Sequence, residues 1–142
     1  FADTIIHAGP VGSGHRLKLI NNFLSLSHAA IAAEAIAVAA KAGVSMHALK
    51  DIVVAGGANS VMFERLIKLP LEGDDTAAKF AIVNARKDLR YYAAMAENQS
   101  SAAFLAEQVL QLYSLAVNLG FGERYVPRMV DMMMAISGKD PQ

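Results

Sequence analysis

Gly9-Pro10-Val11-Gly12-Ser13-Gly14-His15-Arg16-Leu17-Lys18-Leu19-Ile20-Asn21-Asn22 is a glycine turn running straight into a helix, and the reading of the whole chain hangs on it. Gly12 and Gly14 permit tight backbone geometry and close approach by a ligand. Ser13 or Gly14 is placed to cap a helix beginning there, because Leu17, Ile20, Phe23, Leu24, Ile31 and Ile36 recur at helical spacing. Lys18 and Asn22 are four residues apart, so their side chains stack on one helix face. An otherwise apolar helix thus keeps an ammonium and an amide side by side.

That placement suits proton transfer. A free lysine, with a pKa near ~10.4, is a poor base at neutral pH. Burial lowers that value, and so does the positive end of a helix dipole. The same helix end attracts an anion such as a substrate carboxylate. Asn22 has an oxygen and two amide hydrogens with which to hold the lysine or a substrate hydroxyl. On spacing alone the plainer reading is a lysine that snorkels to water and an asparagine that caps locally.

The run resembles the Gly-x-x-Gly-x-Gly-x-x-x-Lys-x-x-x-Asn motif of the β-hydroxyacid dehydrogenases, and matches it at Gly9, Gly12, Gly14, Lys18 and Asn22. That family includes 3-hydroxyisobutyrate dehydrogenase, tartronate semialdehyde reductase and, more distantly, 6-phosphogluconate dehydrogenase. The resemblance implies that Lys18 is the general acid/base and Asn22 its partner in orienting substrate. It also implies that Gly12, Ser13 and Gly14 line the substrate side and that the cofactor is NAD or NADP. A second segment agrees. Phe80-Ala81-Ile82-Val83-Asn84-Ala85-Arg86-Lys87-Asp88-Leu89 is similar to the family's Phe-x(6)-Lys-Asp-Leu block. By that resemblance Phe80, Lys87 and Asp88 are expected near the cofactor. Tyr92 and Ala94 depart from the residues that usually come after this block.

Without the resemblance, Lys87-Asp88 is a charge pair on a solvated helix face. A nucleic-acid patch built on Arg86, Lys87, Arg90, Tyr91 and Tyr92 is disfavoured, because 13 basic residues balance 13 acidic ones. At 142 residues and 54% hydrophobic, the chain has ample material for one core. Only 18% of residues are charged, which points to further surface buried by partners, a homodimer or homotetramer. Without cysteine there is no disulfide or thiolate chemistry. His7, His15, His28 and His47 lack metal-ligand spacing, so no metal is expected. No signal-peptide pattern opens the chain. The longest apolar run, residues 29–40, is broken by Glu34 and falls short of the ~20 residues a membrane span needs. A cytoplasmic enzyme is therefore expected.

The periodicity predicts an all-α domain: a multi-helix bundle around a long central helix over 14–41 that closes near Gly43, similar to the C-terminal domain of 6-phosphogluconate dehydrogenase. Ser45 starts a short helix ended by Gly56-Gly57, and Asn59 or Ser60 starts another ended by Pro70. Residues 71–79 read as polar loop, helices come next over 82–97 and 102–118, and the last runs from Pro127 to Ile136. Met129, Met132, Met133 and Met134 read as a core or subunit-interface stripe. Thr4-Ile5-Ile6 looks like a strand. No strand–glycine loop–helix unit with a downstream acid is visible, so residues 1–142 are expected to be the C-terminal half of a longer polypeptide. Its own dinucleotide-binding domain is then a partner, alongside a small 3-hydroxy acid, and the isolated domain is expected to be inactive. Two other readings are an imine reductase, which usually lacks a lysine at the position of Lys18, and a non-catalytic oligomerisation module.

Overall fold

Alanine is what lets one helix sit in the middle of this molecule. A computed structural model describes residues 9–138, and its longest element, α1 (Ser13–Lys41), buries Ala29, Ala30, Ala32, Ala33, Ala37 and Ala39 together with Leu26 and Ile36. Side chains this short allow neighbouring helices to approach closely. At 1.5 Å per residue α1 is ~44 Å long. It ends in a Schellman motif: Gly43 lies at φ +77°, Val44 N–H donates to the Ala39 carbonyl at 2.9 Å, and Gly43 N–H donates to Ala40 at 3.2 Å.

Around α1 pack α2 (Met46–Ala55), α3 (Val61–Leu66), α5 (Ile82–Asn98), α6 (Phe104–Ala116) and α7 (Met129–Ile136), with α4 (Lys68–Glu72) carried beside α2 and α3. The fold is all-α; among the described residues β pairing is limited to one isolated bridge, Ala81 to Tyr125. The strand read at Thr4-Ile5-Ile6 lies outside the described residues. Ser45 and Ser60 cap α2 and α3 as expected, accepting from Ala48 N–H at 3.3 Å and Phe63 N–H at 3.0 Å.

Several expectations are corrected. The cap of α1 is neither Ser13 nor Gly14 but Gly12, and no side chain caps that end. Pro70 does not close the third helix. It sits in the first turn of α4, where a missing N–H costs nothing, and the bond it would have donated to Leu66 is where α3 stops. The polar loop therefore begins at Gly73 rather than residue 71. Beyond Ala116, α6 runs into a π turn over Val117–Phe121 in which Gly120 takes φ +95°. Met129, Met132 and Met134, by contrast, are buried in the chain's own core, the first of the two readings given for them.

The start of α5 has no side-chain cap either; carbonyls of the loop after α6 serve instead. Ile82 N–H donates to Arg124 at 2.9 Å and Val83 N–H to Gly122 at 2.8 Å, while Val126 N–H donates to Phe80 at 2.9 Å. This clamp seats the helix that carries Lys87 and Asp88.

Burial of α1 is one-sided. Leu17, Ile20, Leu24, Ile31 and Val38 stand 41–63% exposed along one stripe. By length and composition α1 could cross a membrane, yet it packs against five helices of its own chain, as the core helix of a bundle does.

Across the core, Tyr113 of α6 is fully buried and its hydroxyl donates to the Leu26 carbonyl at 2.9 Å. Burial pushes that phenol above the ordinary tyrosine value of 10.0. Tyr113→Phe is expected to cost about 0.5–1.5 kcal/mol at neutral pH, measured by urea denaturation. The neutral phenol's contribution is complete below pH ~10 and is lost as pH rises beyond it, so the deficit of Tyr113→Phe should shrink at higher pH.

Candidate active site

The glycine turn holds the entry to α1 open. Gly12 adopts φ +91°, a conformation that favours glycine, and a Cβ there would meet nothing within 4 Å. The demand at position 12 is therefore one of backbone conformation, not of space. Gly14 has no such φ and is equally open, so the chain's own fold does not require glycine there. Ser13 is the first helical residue and is half-buried.

Lys18 lies in the second turn of α1, past the turn where the helix dipole is felt. Its side chain is exposed, and among the described residues its ammonium has no hydrogen bond or ion pair. Neither source of lysine activation expected from the sequence, burial or a first-turn position, is supplied by these residues. At 100° per residue, Lys18 is nevertheless aligned with Asn22, Ala29 and Ile36, the side of α1 that is buried further along. On this line Lys18 is exposed while Leu19 beside it is buried. The exposed Leu17–Leu24–Ile31–Val38 stripe lies roughly 100–160° away around the axis.

Asn22 is half-buried, and its Nδ2 donates to Asp88 Oδ2 at 2.8 Å. Asp88 is 6% exposed, on the inward side of α5 with Ala85 and Leu89. Two motifs 66 residues apart are thus joined by one hydrogen bond. Next to it, the Phe23 and Tyr92 rings stack with centroids 4.3 Å apart and planes 14° from parallel. Tyr92, which departs from the family pattern, is thereby part of the α1–α5 contact.

Of the residues expected near a cofactor, Phe80 is half-buried against the core, Lys87 is exposed without a partner among the described residues, and Asp88 has its carboxylate engaged by Asn22. A free cation at Lys87 fits an anionic cofactor group; Asp88 is turned inward.

Cavities lie toward both ends of α1. One of ≈ 290 Å³ lies between the start of α1 and the end of α5, lined by His15, Arg16, Leu19, Tyr91, Met95 and Asn98. The larger, ≈ 560 Å³, is lined by Ile36, Ala40, Leu69, Arg128 and Asp131 and lies ~27 Å along α1 from Lys18, apart from the motif residues. Its charged corner went unread in the sequence. Arg128 pairs with Asp131 at 2.8 Å and Asp75 at 3.0 Å, and Asp131 is the more deeply buried acid. Asp131 foremost, and Asp75 after it, hold the guanidinium charged against the cost of burial. An Arg three residues before an Asp on a helix was the available signal. Among the described residues no group of three or more His, Asp or Glu gathers as a metal site.

Residues 12–133 match the family model for the NAD-binding domain of NADP-dependent 3-hydroxyisobutyrate dehydrogenase. The L-threonate dehydrogenase of Escherichia coli K12 is 34% identical over 112 residues, covering 79% of this chain and 37% of that protein. That of Haemophilus influenzae is 29% identical, covering 89% and 42%. The crystal structure of a Salmonella typhimurium 3-hydroxyisobutyrate dehydrogenase superposes with a TM-score of 0.79 at 32% identity, covering 85% of this chain and 42% of that one. The chain thus spans less than half the length of these relatives.

At the glycine turn, Gly12→Ala is expected to destabilise by about 1 kcal/mol through the strained φ. Gly14→Ala should be neutral or stabilising by up to about 1 kcal/mol, since alanine fits a helix better. Urea melts of the two variants check the contrast.

Proposed function

The chain belongs to the family of the NAD-binding domain of NADP-dependent 3-hydroxyisobutyrate dehydrogenase, and from that premise we propose that Lys18 carries the proton in a hydride-transfer reaction on a small 3-hydroxy acid or its semialdehyde. The family is one of oxidoreductases that bind a nicotinamide cofactor. The observation that carries the finer reading is the Asn22–Asp88 hydrogen bond, which ties the two motifs together one turn from Lys18, itself without a partner among the described residues.

The nicotinamide, NAD or NADP, supplies the two-electron chemistry when bound. In the oxidation direction neutral Lys18 accepts the proton of the substrate hydroxyl at Nζ; in reduction its ammonium returns one to the nascent alkoxide. Asn22 orients the hydroxyl from one turn further on. The glycine turn, Gly12, Ser13 and Gly14, lets a short carboxylate come close to the backbone, and Lys87 would hold the cofactor's anionic portion. Relatives named for L-threonate and for glyoxylate/succinic semialdehyde support a short acid as substrate.

This reading makes the chain one part of a larger enzyme. A dinucleotide-binding domain closing over the start of α1 would supply the desolvation that Lys18 lacks here. The apolar stripe of Leu17, Leu24, Ile31 and Val38 then serves assembly, as a homodimer or homotetramer.

In the full-length protein, Lys18→Ala should lower kcat by roughly 10²–10⁴-fold with little change in cofactor affinity. Lys18→Arg should be nearly as damaging, because a guanidinium does not give up its proton. Near-normal turnover by Lys18→Ala in a steady-state assay would make the lysine structural. Light scattering at micromolar concentration should report a dimer or larger; a stable monomer would contradict the assembly reading.

A further inference from the structure

We propose that Asp88 is a positioning residue, fixing the Asn22 amide with its oxygen turned toward the reacting hydroxyl. The inference rests on the proposed role of Lys18 and assigns Asp88 a task apart from cofactor contact.

An asparagine amide presents an acceptor at one end and donors at the other, and little but its surroundings decides which end faces which way. A carboxylate accepts and does not donate. Only the Nδ2 end of Asn22 can therefore meet Asp88, and the 2.8 Å contact is made by that end. Asp88 is itself held: it is buried on the inward side of α5, whose first N–H groups are clamped by the Gly122–Arg124 carbonyls. The Phe23–Tyr92 stack keeps α1 and α5 in register next to the pair. Opposite the Nδ2 end, Asn22 Oδ1 has no partner among the described residues. It keeps access to solvent, and Lys18 precedes it by one turn on the same face.

The chemistry recognised by this arrangement is a hydroxyl. In the alcohol complex Oδ1 accepts from the substrate O–H and steers it toward Lys18. In the carbonyl complex, where the substrate has no proton to offer there, the same oxygen accepts from the Lys18 ammonium. An amide at position 88 would bond either end of Asn22 and lose this polarity, while keeping the volume and a hydrogen bond.

The test is a double-mutant cycle in the full-length enzyme, assayed with 3-hydroxyisobutyrate and with L-threonate as probes. Asp88→Asn should lower kcat/KM for the hydroxy acid by roughly 10- to 100-fold, the worth of one charge-assisted hydrogen bond. The cofactor KM should stay within about twofold, and Tm near the parent value, because the pair still hydrogen-bonds. In an Asn22→Ala background Asp88→Asn should add nothing further, since the residue it acts through is gone. An unchanged kcat/KM in Asp88→Asn overturns the proposal, as does a loss that persists in full without Asn22 or appears in the cofactor KM. If Lys18→Ala abolishes turnover while Asp88→Asn is silent, the positioning role fails and the acid/base role stands. If Lys18→Ala is silent and the coupling between positions 22 and 88 survives, the acid/base role alone fails.

Discussion

Close approach along α1 is the constraint on which this structure depends. Its buried arc is mostly alanine, broken by Leu19, Leu26 and Ile36, so the helices around it can approach closely. The larger side chains of the core come from the neighbours: Phe63, Leu66 and Ile67, Leu89, Tyr113, Met129 and Met132. A central helix of small residues ringed by helices bearing large ones is a division of volume that keeps the interior dense. Lys18 lies in the second turn of α1, one residue before the buried Leu19.

The candidate site arises from the same geometry. Lys18 and Asn22 continue the line of residues that further along α1 is packed against the core. Where the core stops, the line continues with polar groups. On that line Asn22 is half-buried and held by Asp88, and Lys18, one turn earlier, is exposed. One helix face thus passes from packing to chemistry within a single turn.

Helix ends were legible in the sequence wherever local chemistry governs them. Ser45 and Ser60 cap as serines do, and Gly43 closes α1 in the left-handed conformation that glycine favours. Pro70 misled because proline marks a helix start as readily as a stop, and which it marks depends on the residues after it. The methionines of α7 carry no directional signal; only the packing of α7 on α1 decides that they face inward. The pairing of Asn22 with Asp88 is invisible to periodicity, since nothing local connects them. The resemblance marked both residues without saying that they touch. The exposure of Lys18 agrees with the plainer reading of its spacing, a lysine that reaches water, and not with the burial that would activate it.

The apolar stripe Leu17–Leu24–Ile31–Val38 has a consequence for how this chain tolerates change. Its members recur every seven residues on a helix that repeats every 3.6, so the stripe drifts by ~20° per heptad and stays clear of the alanine arc. Substitutions on the two sides of α1 are therefore uncoupled. A polar residue on the stripe leaves the chain's own packing intact, whereas one on the arc strikes the core directly. A single helix can thus be altered on one side for solubility while the other side remains under the discipline of folding.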